Sequence, residues 1–387
     1  MQEEYTVRQT RPKAVCISCF NEYTTRMRLV REVMEERGFD CTYITSDFSH
    51  GHKSYEEVSI PNSIVIHAKP YRKNLSAQLL RSHFCFAKKA FDEVRKLNPE
   101  LVFVMIPPNS LAQQAKKYKK KHPNTKIILD LYDLWPETFP NSKAKQLLKI
   151  PFSIWGSLRN QGLHDVDLIT TECMLYQSVL ANHLEGKRAR FLPVCRPSVT
   201  ATGEYRLSDR TLEICYLGSI NNIIDIPTIA KTLGELNRYK KVTLHIIGDG
   251  ESRQALVDSV EACGVSVIFH GKIFDSQEKQ KIFDQCHFGI NIMKSSVCVG
   301  LTLKSLDYFA GGLPILNTIG GDTEQIVAKY HIGYQIREAS LEDTAKEISE
   351  LSMEDFVQMR EATVRCFCEN FSEDQFMSRV RNILDEV

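Results

Sequence analysis

Short apolar runs alternate with amphipathic stretches along nearly the whole chain, and this alternation restricts the fold more than any other feature. Stretches with helical spacing lie at 24–37, 77–97 and 109–121. The apolar runs of the first half are 13–18, 41–45, 63–67, 101–106, 126–131, 166–170 and 190–194. Continuous apolar runs that are separated by helices are typical of a parallel sheet covered on both faces. The first half therefore predicts a doubly wound α/β domain.

The alternation lapses at 195–211, a polar stretch with Pro and Gly, and then begins again. The predicted strands after the lapse are 212–217, 242–247, 265–269, 287–292, 313–316 and 332–336. The predicted helices are 226–238, 251–262, 276–284, 302–311, 322–329, 341–351, 353–369 and 373–386. The sequence thus predicts two Rossmann-like domains, residues 1–195 and 212–370, joined by a linker at 196–211. Residues 371–387 are expected to form a helix that crosses back to the N-terminal domain.

Composition places the chain among soluble, reduced proteins. It is 43% hydrophobic and 25% charged over 387 residues, which is ordinary for a globular protein. No apolar run approaches the roughly 18 residues that span a bilayer, and the polar stretch 1–13 is unlike a secretory signal. The twelve Cys show no repeated paired spacing that would indicate disulfides or a zinc site. We therefore expect reduced thiols and a cytoplasmic protein.

Charge is divided unevenly between the two halves. Residues 1–200 contain 30 Lys and Arg against 20 Asp and Glu, whereas 201–387 contain 19 against 28. The net charges are therefore +10 and −9. A basic domain can face an anionic membrane, an anionic acceptor or nucleic acid. Nucleic acid is disfavoured, because the basic residues lack interleaved aromatic residues or a recognisable motif.

The stretch G-L-T-L-K-S-L-D-Y-F-A-G-G-L-P-I-L, residues 300–316, carries the strongest chemical signal. A helix that begins near Thr302 directs its free N–H groups toward the preceding loop, and Lys304 adds a full charge in the first turn. This pairing suits a diphosphate. Asp307 lies on the same face one turn further on, where it can accept hydrogen bonds from ribose hydroxyls. The alternative is a plain surface ion pair between Lys304 and Asp307.

Three further turns follow predicted strands of the second domain. They contain Gly218 and Ser219, Gly248 to Gly250, and Gly271 to Ile273. Small residues at such places let backbone N–H groups approach an anion, although each turn by itself is more typical of ordinary chain reversal than of a site. None forms a G-x-G-x-x-G, and the P-loop Lys is absent, so dinucleotide and NTPase functions are not indicated.

Taken together, these motifs resemble the donor-binding domain of retaining GT-B glycosyltransferases. The segments are Gly218-Ser219, I-I-G-D-G, F-H-G-K and the 300–316 stretch, and their order and spacing match over about residues 210–335. The segment D-L-W-P-E, residues 133–137, looks like one that follows a central strand in some members. The nearest class looks like family four, the glycosyltransferases of bacterial polysaccharide and capsule assembly. The resemblance implies a GT-B α/β fold with two Rossmann-like, doubly wound domains facing a central cleft.

The resemblance implies particular site residues, with some departures. Val299, Ser219 and Ile224 stand where the family usually has Glu, Arg and Lys, so Lys304 is expected to supply the charge for the diphosphate. Asp133 and Lys304 are the implied catalytic residues. The implied nucleotide-sugar-binding residues are Gly218, Ser219, Gly248, Lys272, Ile273, Lys294, Gly300, Leu301, Thr302, Lys304 and Asp307.

The loop after the first predicted strand, residues 18–28, faces the cleft in this class. Asn21, Glu22 and Arg26 are therefore expected to contact the donor or acceptor, although Asn21 is as well suited to capping a helix. Residues 143–159 combine basic residues with Leu, Phe152 and Trp155, which predicts either a membrane-surface segment or a core-facing helix.

The resulting expectation is a peripheral cytoplasmic glycosyltransferase of the hexosyl or N-acetylhexosaminyl type, monomeric or homodimeric. It would transfer a sugar from a nucleotide diphosphate sugar, with UDP favoured over GDP, to a glycan or lipid-linked acceptor. Retention of configuration is implied, as are independence of metal and the absence of a cofactor other than the sugar nucleotide itself. Two alternatives remain: a catalytically impaired GT-B partner subunit, and a GT-B sugar-nucleotide epimerase.

Overall fold

The structure, a computed structural model, describes residues 11–20, 24–139, 148–198 and 205–387. It contains two parallel sheets, each covered by helices on both faces, and this confirms the predicted α/β fold class with two doubly wound domains. The predicted contact residues Asn21 and Glu22 and the part 143–147 of the predicted amphipathic segment lie outside the described residues, as do residues 199–204 of the predicted linker.

The N-terminal sheet has seven strands in the order β3-β2-β1-β4-β5-β6-β7. The strands are β1 (Lys13–Ile17), β2 (Asp40–Ser46), β3 (Ser63–Ile66), β4 (Leu101–Ile106), β5 (Lys126–Leu131), β6 (Leu168–Thr171) and β7 (Ala189–Phe191). The six residues of β4 are all buried, as an unbroken apolar run in a central parallel strand requires. The strand order reverses between β1 and β4, so a crevice forms beyond their carboxyl ends.

Six helices of the N-terminal domain lie within its described residues. They are α1 (Thr24–Glu36), α2 (Ala77–Leu97), α3 (Asn109–Lys121), α4 (Lys149–Leu163), α5 (Met174–Val179) and α6 (Ala181–Leu184). Helix α2 begins where the Ser76 side chain accepts a hydrogen bond from the Leu79 amide, and it ends at Asn98 in a left-handed conformation. The short helices α5 and α6 lie in a region for which the sequence predicted no helix.

The C-terminal sheet has six parallel strands in the order β10-β9-β8-β11-β12-β13. The strands are β8 (Thr211–Leu217), β9 (Lys241–Ile247), β10 (Ser266–Gly271), β11 (Phe288–Asn291), β12 (Ile315–Asn317) and β13 (Gly333–Gln335). Here the order reverses between β8 and β11, which places a second crevice next to the carboxyl end of β8.

The remaining helices cover this sheet and close the chain. They are α7 (Ile226–Asn237), α8 (Arg253–Glu261), α9 (Ser276–Phe283), α10 (Leu303–Ala310), α11 (Asp322–Tyr330), α12 (Leu341–Ser349), α13 (Met353–Asn370) and α14 (Glu373–Asp385). None of the helices within the described ranges is long and apolar enough to cross a bilayer.

Helix α14 packs on the N-terminal domain. Phe376, Val380 and Ile383 belong to the same apolar cluster as the residues of β1 and α1. Arg381 forms an ion pair with Glu36 of α1 at 2.9 Å. The last helix therefore crosses from the C-terminal domain to the N-terminal one.

The two domains also touch through one carboxylate at the start of α11. Asp322 is buried and accepts hydrogen bonds from the backbone amides of Met174 (2.7 Å) and Leu175 (2.9 Å), at the start of α5. A Cβ on Gly300 would lie 2.6 Å from Asp322 Oδ2, so only glycine leaves space for this contact. One apolar cluster contains residues of both domains.

Candidate active site

A cleft of about 1100 Å³ lies between the carboxyl ends of the two sheets. The N-terminal domain contributes Asp133, Trp135 and Tyr176 to its lining, and the C-terminal domain contributes the turns after β8, β9 and β10 together with the start of α10. Ligands of open α/β sheets bind at this position because the loops at the strand ends converge there.

The turns after β8 and β9 are pressed against each other. Gly218 and Gly248 have φ of +114° and +143°, and a Cβ on Gly248 would lie 2.0 Å from the Gly218 carbonyl oxygen. The Gly218 amide donates to the Ile247 carbonyl at 2.8 Å, and the Gly248 amide donates to the Gly271 carbonyl at 2.7 Å. The three predicted glycine turns thus form one continuous wall, and their bare backbone can approach a ligand closely.

Helix α10 begins beside this wall with a well-formed cap. The Thr302 side chain accepts a hydrogen bond from the Ser305 amide at 3.1 Å, and its hydroxyl donates to Asn291 Oδ1 at 2.9 Å. The Ser305 hydroxyl in turn accepts from the Thr302 amide, which completes a capping box. The cap fixes the position of the helix N-terminus. Because Thr302 and Leu303 both line the cleft, the positive end of the helix dipole faces the cleft.

Lys304 lies in the first turn of α10, with its Nζ 4.9 Å from the centre of the Tyr216 ring. It makes no ion pair with any carboxylate in the described parts of the chain. Burial lowers the pKa of Lys304 from 10.5 to about 8. A cation that has lost water without gaining a carboxylate is well placed to bind an anion.

Asp307, one turn further along α10, is held by the interdomain segment. Arg196 Nε donates to Asp307 Oδ1 at 2.7 Å. Asp307 also lines the cleft, so Oδ2 is the oxygen left for a ligand hydroxyl. The alternative of an ion pair between Lys304 and Asp307 is not seen; the partner of Asp307 is Arg196 instead.

Asp133 enters the cleft from the N-terminal domain on a firmly anchored segment. The fully buried Arg159 donates to both carboxylate oxygens of Glu137 at 2.9 and 2.7 Å, and to the Trp135 carbonyl. The Thr138 hydroxyl donates to Asp133 Oδ1 at 2.8 Å. Burial raises the pKa of Asp133, an effect that the hydrogen bond from Thr138 opposes. Glu137 of the same D-L-W-P-E motif holds this segment in place through its ion pair with Arg159.

The other predicted donor-site residues divide into two groups. Ser219, Lys272, Ile273 and Leu301 line the cleft, as do Gly218, Gly248 and Thr302. Gly300 and Lys294 do not: Gly300 packs against Asp322, and the exposed Lys294 donates to the Asn222 carbonyl at 2.6 Å. Their predicted contact with the donor has no support in this geometry.

The predicted position of Arg26 at the cleft is wrong. Rather than facing the cleft, it is 6% exposed and donates to both oxygens of Asp130 at 2.7 Å. It also donates to the carbonyls of Leu192 and Pro193. A guanidinium with this many partners joins the N-terminal core to the chain that leaves it, and it is not available to a substrate.

Two charged residues near the cleft were missed in the sequence. Lys279 of α9 lines the cleft on the same side as Lys272, but it lies on an ordinary amphipathic helix that carries no motif. Glu172 follows β6 directly, and burial raises its pKa to about 8, with the Arg26 charge opposing and the Asp133 charge adding to the shift. The sequence signal that could have identified Glu172 as a candidate site residue is its carboxyl group at the end of a strand.

Metal binding is a separate question for this site. Within residues 11–20, 24–139, 148–198 and 205–387, no group of three or more His, Cys, Asp or Glu side chains is arranged to hold a metal ion. The positive charges that the described residues bring to the cleft are Lys272, Lys279, Lys304 and the N-terminus of α10.

Comparison with known proteins agrees with this geometry. Residues 211–354 match the sequence model of a family described as "Glycosyl transferases group 1". This segment contains the glycine turns, Lys304 and Asp307. No curated protein sequence matches the chain.

Solved structures match the chain over almost its full length. The lipopolysaccharide outer core galactosyltransferase WaaB, in its apo form, superposes with a TM-score of 0.68 at 12% identity, covering 97% of this chain and 100% of the other. Sucrose-phosphate synthase from Thermosynechococcus elongatus gives 0.67 at 12%, covering 97% and 99%. Anabaena HepE in complex with UDP and glucose gives 0.63 at 11%, covering 97% and 100%. At these identities the comparison shows the fold, which is GT-B, and together with the family match it supports a GT-B glycosyltransferase.

Proposed function

We propose that this protein transfers a sugar from a nucleotide diphosphate sugar to an acceptor, as a member of the family-four type of GT-B glycosyltransferases. One observation carries the proposal: Lys304, a partly buried cation without a carboxylate partner among the described residues, lies in the first turn of a capped helix at the cleft between the domains. This is the environment that a diphosphate leaving group requires.

The donor would lie along the glycine wall with its diphosphate at α10. Lys304 and the first amides of α10 stabilise the charge that develops on the departing diphosphate, with Lys272 and Lys279 nearby. Asp307 Oδ2 accepts a hydrogen bond from a ribose hydroxyl. In this arrangement the protein charges alone neutralise the leaving group, so we propose a reaction that needs neither a metal nor another cofactor.

The reaction itself follows from the position of Asp133. The acceptor hydroxyl oxygen forms a bond to the anomeric carbon of the donor, and the bond from that carbon to the diphosphate oxygen breaks. The diphosphate leaves with the electron pair and takes up the hydroxyl proton. Asp133 orients the acceptor hydroxyl by accepting its hydrogen bond from the N-terminal side. Attack from the face of the leaving group retains the configuration.

The finer assignments are also proposals. UDP is the preferred nucleotide, because UDP-sugars dominate the class that the motifs resemble, and a structural neighbour contains UDP. The sugar is a hexose or an N-acetylhexosamine. The acceptor is a glycan or lipid-linked sugar of surface polysaccharide synthesis, and the enzyme works as a monomer or homodimer at the cytoplasmic membrane face. The basic N-terminal half favours that location.

The membrane-contact surface differs from the one that the sequence indicated. Trp155 is 7% exposed and stacks near His83 inside the domain, so it cannot enter a bilayer. Ile150 and Ile154 of the same helix α4 are 74% and 60% exposed. We therefore assign the apolar part of any membrane contact to these two residues, next to Lys149.

Two other functions remain as alternatives. Val299, Ser219 and Ile224 replace charged residues of the family, which favours an impaired partner subunit. A sugar-nucleotide epimerase would use Asp133 and Glu172 as its acid and base, because the pKa of each carboxyl group is raised and Asp133 lines the cleft.

Ligand-induced stabilisation tests the proposal. We would measure the unfolding of the full chain with UDP, GDP and dTDP, and then with UDP-glucose and UDP-N-acetylglucosamine. A ligand at 100 times its dissociation constant adds about 2.7 kcal/mol, so binding is easily seen. A transferase slowly hydrolyses its donor without acceptor, a partner subunit binds without hydrolysis, and an epimerase yields an epimeric sugar nucleotide. Absence of binding to every nucleotide would reject the proposal.

A further inference from the structure

A second cavity, of about 470 Å³, opens next to the donor cleft inside the N-terminal domain. Asp133 and Trp135 line both spaces, so the two adjoin at these residues. The cavity lies between the loop after β1, the first turns of α2 and the first half of α4. Its volume falls in the range of about 300–1,000 Å³ that is typical of small-molecule sites.

The walls of this cavity are mainly apolar and aromatic. They include Phe20, Leu79, Leu80, Phe139, Phe152 and Trp155. No Lys or Arg is found among the described residues that line it. Leu75 and Leu80, at its mouth, are 44% and 39% exposed, and the apolar lining therefore reaches the surface.

His83 is the exception in this apolar lining. It is 5% exposed, and neither ring nitrogen has a hydrogen-bond partner among the described residues. Burial lowers the pKa of His83 to about 3, so the ring is neutral and offers one N–H donor and one acceptor. Buried polar groups nearly always have partners, and a hydroxyl group can serve either nitrogen.

We propose that this cavity is the acceptor subsite and that the acceptor is an amphiphile, a sugar linked to an aliphatic group. This inference rests on the proposed glycosyl transfer. The sugar hydroxyl that reacts lies at Asp133, where the cavity meets the donor cleft, and another oxygen of the acceptor hydrogen-bonds to His83. The aliphatic group contacts Phe20, Leu79 and Trp155 and leaves toward Leu75 and Leu80.

The chemistry of the lining favours this class over a free oligosaccharide or a phosphorylated sugar. A sugar chain carries a hydroxyl on most carbons and would need a polar partner for each, whereas the polar side chains among the described lining residues are few: His50, Asn74, Ser76, His83 and Asp133. A phosphate would need a cation. An alkyl chain needs only apolar surface and gains free energy from leaving water.

Alkyl glucosides test the inference directly. The chain has two Trp, and both line this cavity, so intrinsic fluorescence reports its occupancy. We would titrate the full chain, saturated with UDP, with methyl, hexyl and octyl β-D-glucopyranoside below their micellar concentrations. Affinity should rise about fourfold for each methylene that becomes fully buried, so octyl should exceed methyl by at least about 20-fold.

Two variants locate the binding. His83→Leu keeps an apolar wall but removes both nitrogens, and it should weaken octyl glucoside binding about threefold to tenfold. Because neither ring nitrogen of His83 has a hydrogen-bond partner among the described residues, this change should not lower the unfolding temperature. His122→Leu, at the end of α3 against Tyr118, is the matched control and should bind as the wild type does. Leu79→Phe, which fills the cavity, should reduce binding without changing UDP affinity.

The outcomes separate the two proposals. Equal affinity for methyl and octyl glucoside, or wild-type affinity in His83→Leu, with UDP binding intact, would overturn the acceptor inference and leave the transferase proposal standing. Failure to bind UDP, GDP or dTDP would overturn the proposed function itself. Chain-length dependence that His83→Leu and Leu79→Phe both diminish would support the subsite.

Discussion

Arg196, from the segment between the domains, holds Asp307 of the donor helix by a hydrogen bond of 2.7 Å from Nε to Oδ1. The two side chains are 27% and 22% exposed, so the pair contributes little to stability, on the order of 1 kcal/mol or less. Its consequence is positional, because it fixes which carboxylate oxygen faces a ligand.

Asp307→Asn should therefore reduce discrimination between ribose and deoxyribose. A hydrogen bond to a charged group contributes about 1.5–3 kcal/mol, so the preference for UDP over 2′-deoxy-UDP should fall by about tenfold or more. Calorimetric titration with both nucleotides measures this preference. Arg196→Lys keeps a cation beside Asp307 and is the control expected to retain most of it. An unchanged preference in Asp307→Asn would remove Asp307 from the ribose site.

The lowered pKa of Lys304 predicts that nucleotide binding depends on pH. With its pKa near 8 in the free protein, Lys304 loses its proton as the pH rises through 8, whereas a bound diphosphate would hold it charged. Binding of UDP at pH 8.5 should therefore take up protons, and UDP affinity should fall at higher pH. Calorimetry in two buffers with different ionisation enthalpies measures the proton uptake.

Lys304→Met provides the comparison for that experiment. It should abolish the proton uptake and weaken UDP binding by about tenfold or more, because a charge-assisted contact is lost. It should also raise the free energy of unfolding at pH 7, by about 1–2 kcal/mol, because the folded state no longer holds a desolvated cation. A variant that binds UDP normally, or that takes up protons like the wild type, would contradict the role of Lys304.

Glu172 predicts a pH dependence of stability. Its pKa is about 8 in the folded protein against 4.5 for an exposed Glu; burial is the main cause, Arg26 and Arg196 oppose it, and Asp133 and Asp130 add to it. The folded state then holds a proton that the unfolded state has released, so this contribution to stability is complete below pH 4.5 and is lost as the pH rises through 8.

Glu172→Gln should remove the loss of stability that accompanies rising pH. Urea unfolding of wild type and variant should give similar stabilities near pH 5, and the variant should be more stable by about 1–3 kcal/mol at pH 8.5. Glu137→Gln, which breaks the ion pair with Arg159, is a control expected to lower stability at both values. A wild type and Glu172→Gln variant that respond equally to pH would show that Glu172 ionises normally.

Membrane binding should depend on both charge and the exposed isoleucines. The full chain should co-sediment with anionic but not neutral vesicles, and binding should weaken with salt, because charges are screened beyond about 10 Å at 0.1 M. Lys149→Glu with Ile150→Ser and Ile154→Ser should reduce it. Met353→Ser, at an exposed apolar residue of the other domain, is the control. Vesicle binding that does not depend on salt concentration, or that the triple variant retains, would rule out this surface as the membrane contact.

Whether the sequence revealed a feature of the site depended on how far apart along the chain the interacting residues lie. Helix α10, its cap at Thr302 and the glycine turn at Gly218 depend on neighbours a few residues away, so local patterns revealed them. Arg26 was misplaced because its partner Asp130 is 104 residues further along the chain. The apolar cavity at His83 was not foreseen, because it joins segments that become neighbours only after the sheet forms.

The Asp322 contact has a consequence for turnover. Its carboxylate holds two backbone amides of the opposite domain in a spot outside the reaction cleft, and Gly300 leaves the space for it. In the proposed reaction, any separation of the two domains to release the nucleotide would require this carboxylate to give up both amides and regain water. Asp322 is therefore a residue at which a substitution would change how readily the domains separate, without touching the groups proposed to bind the donor.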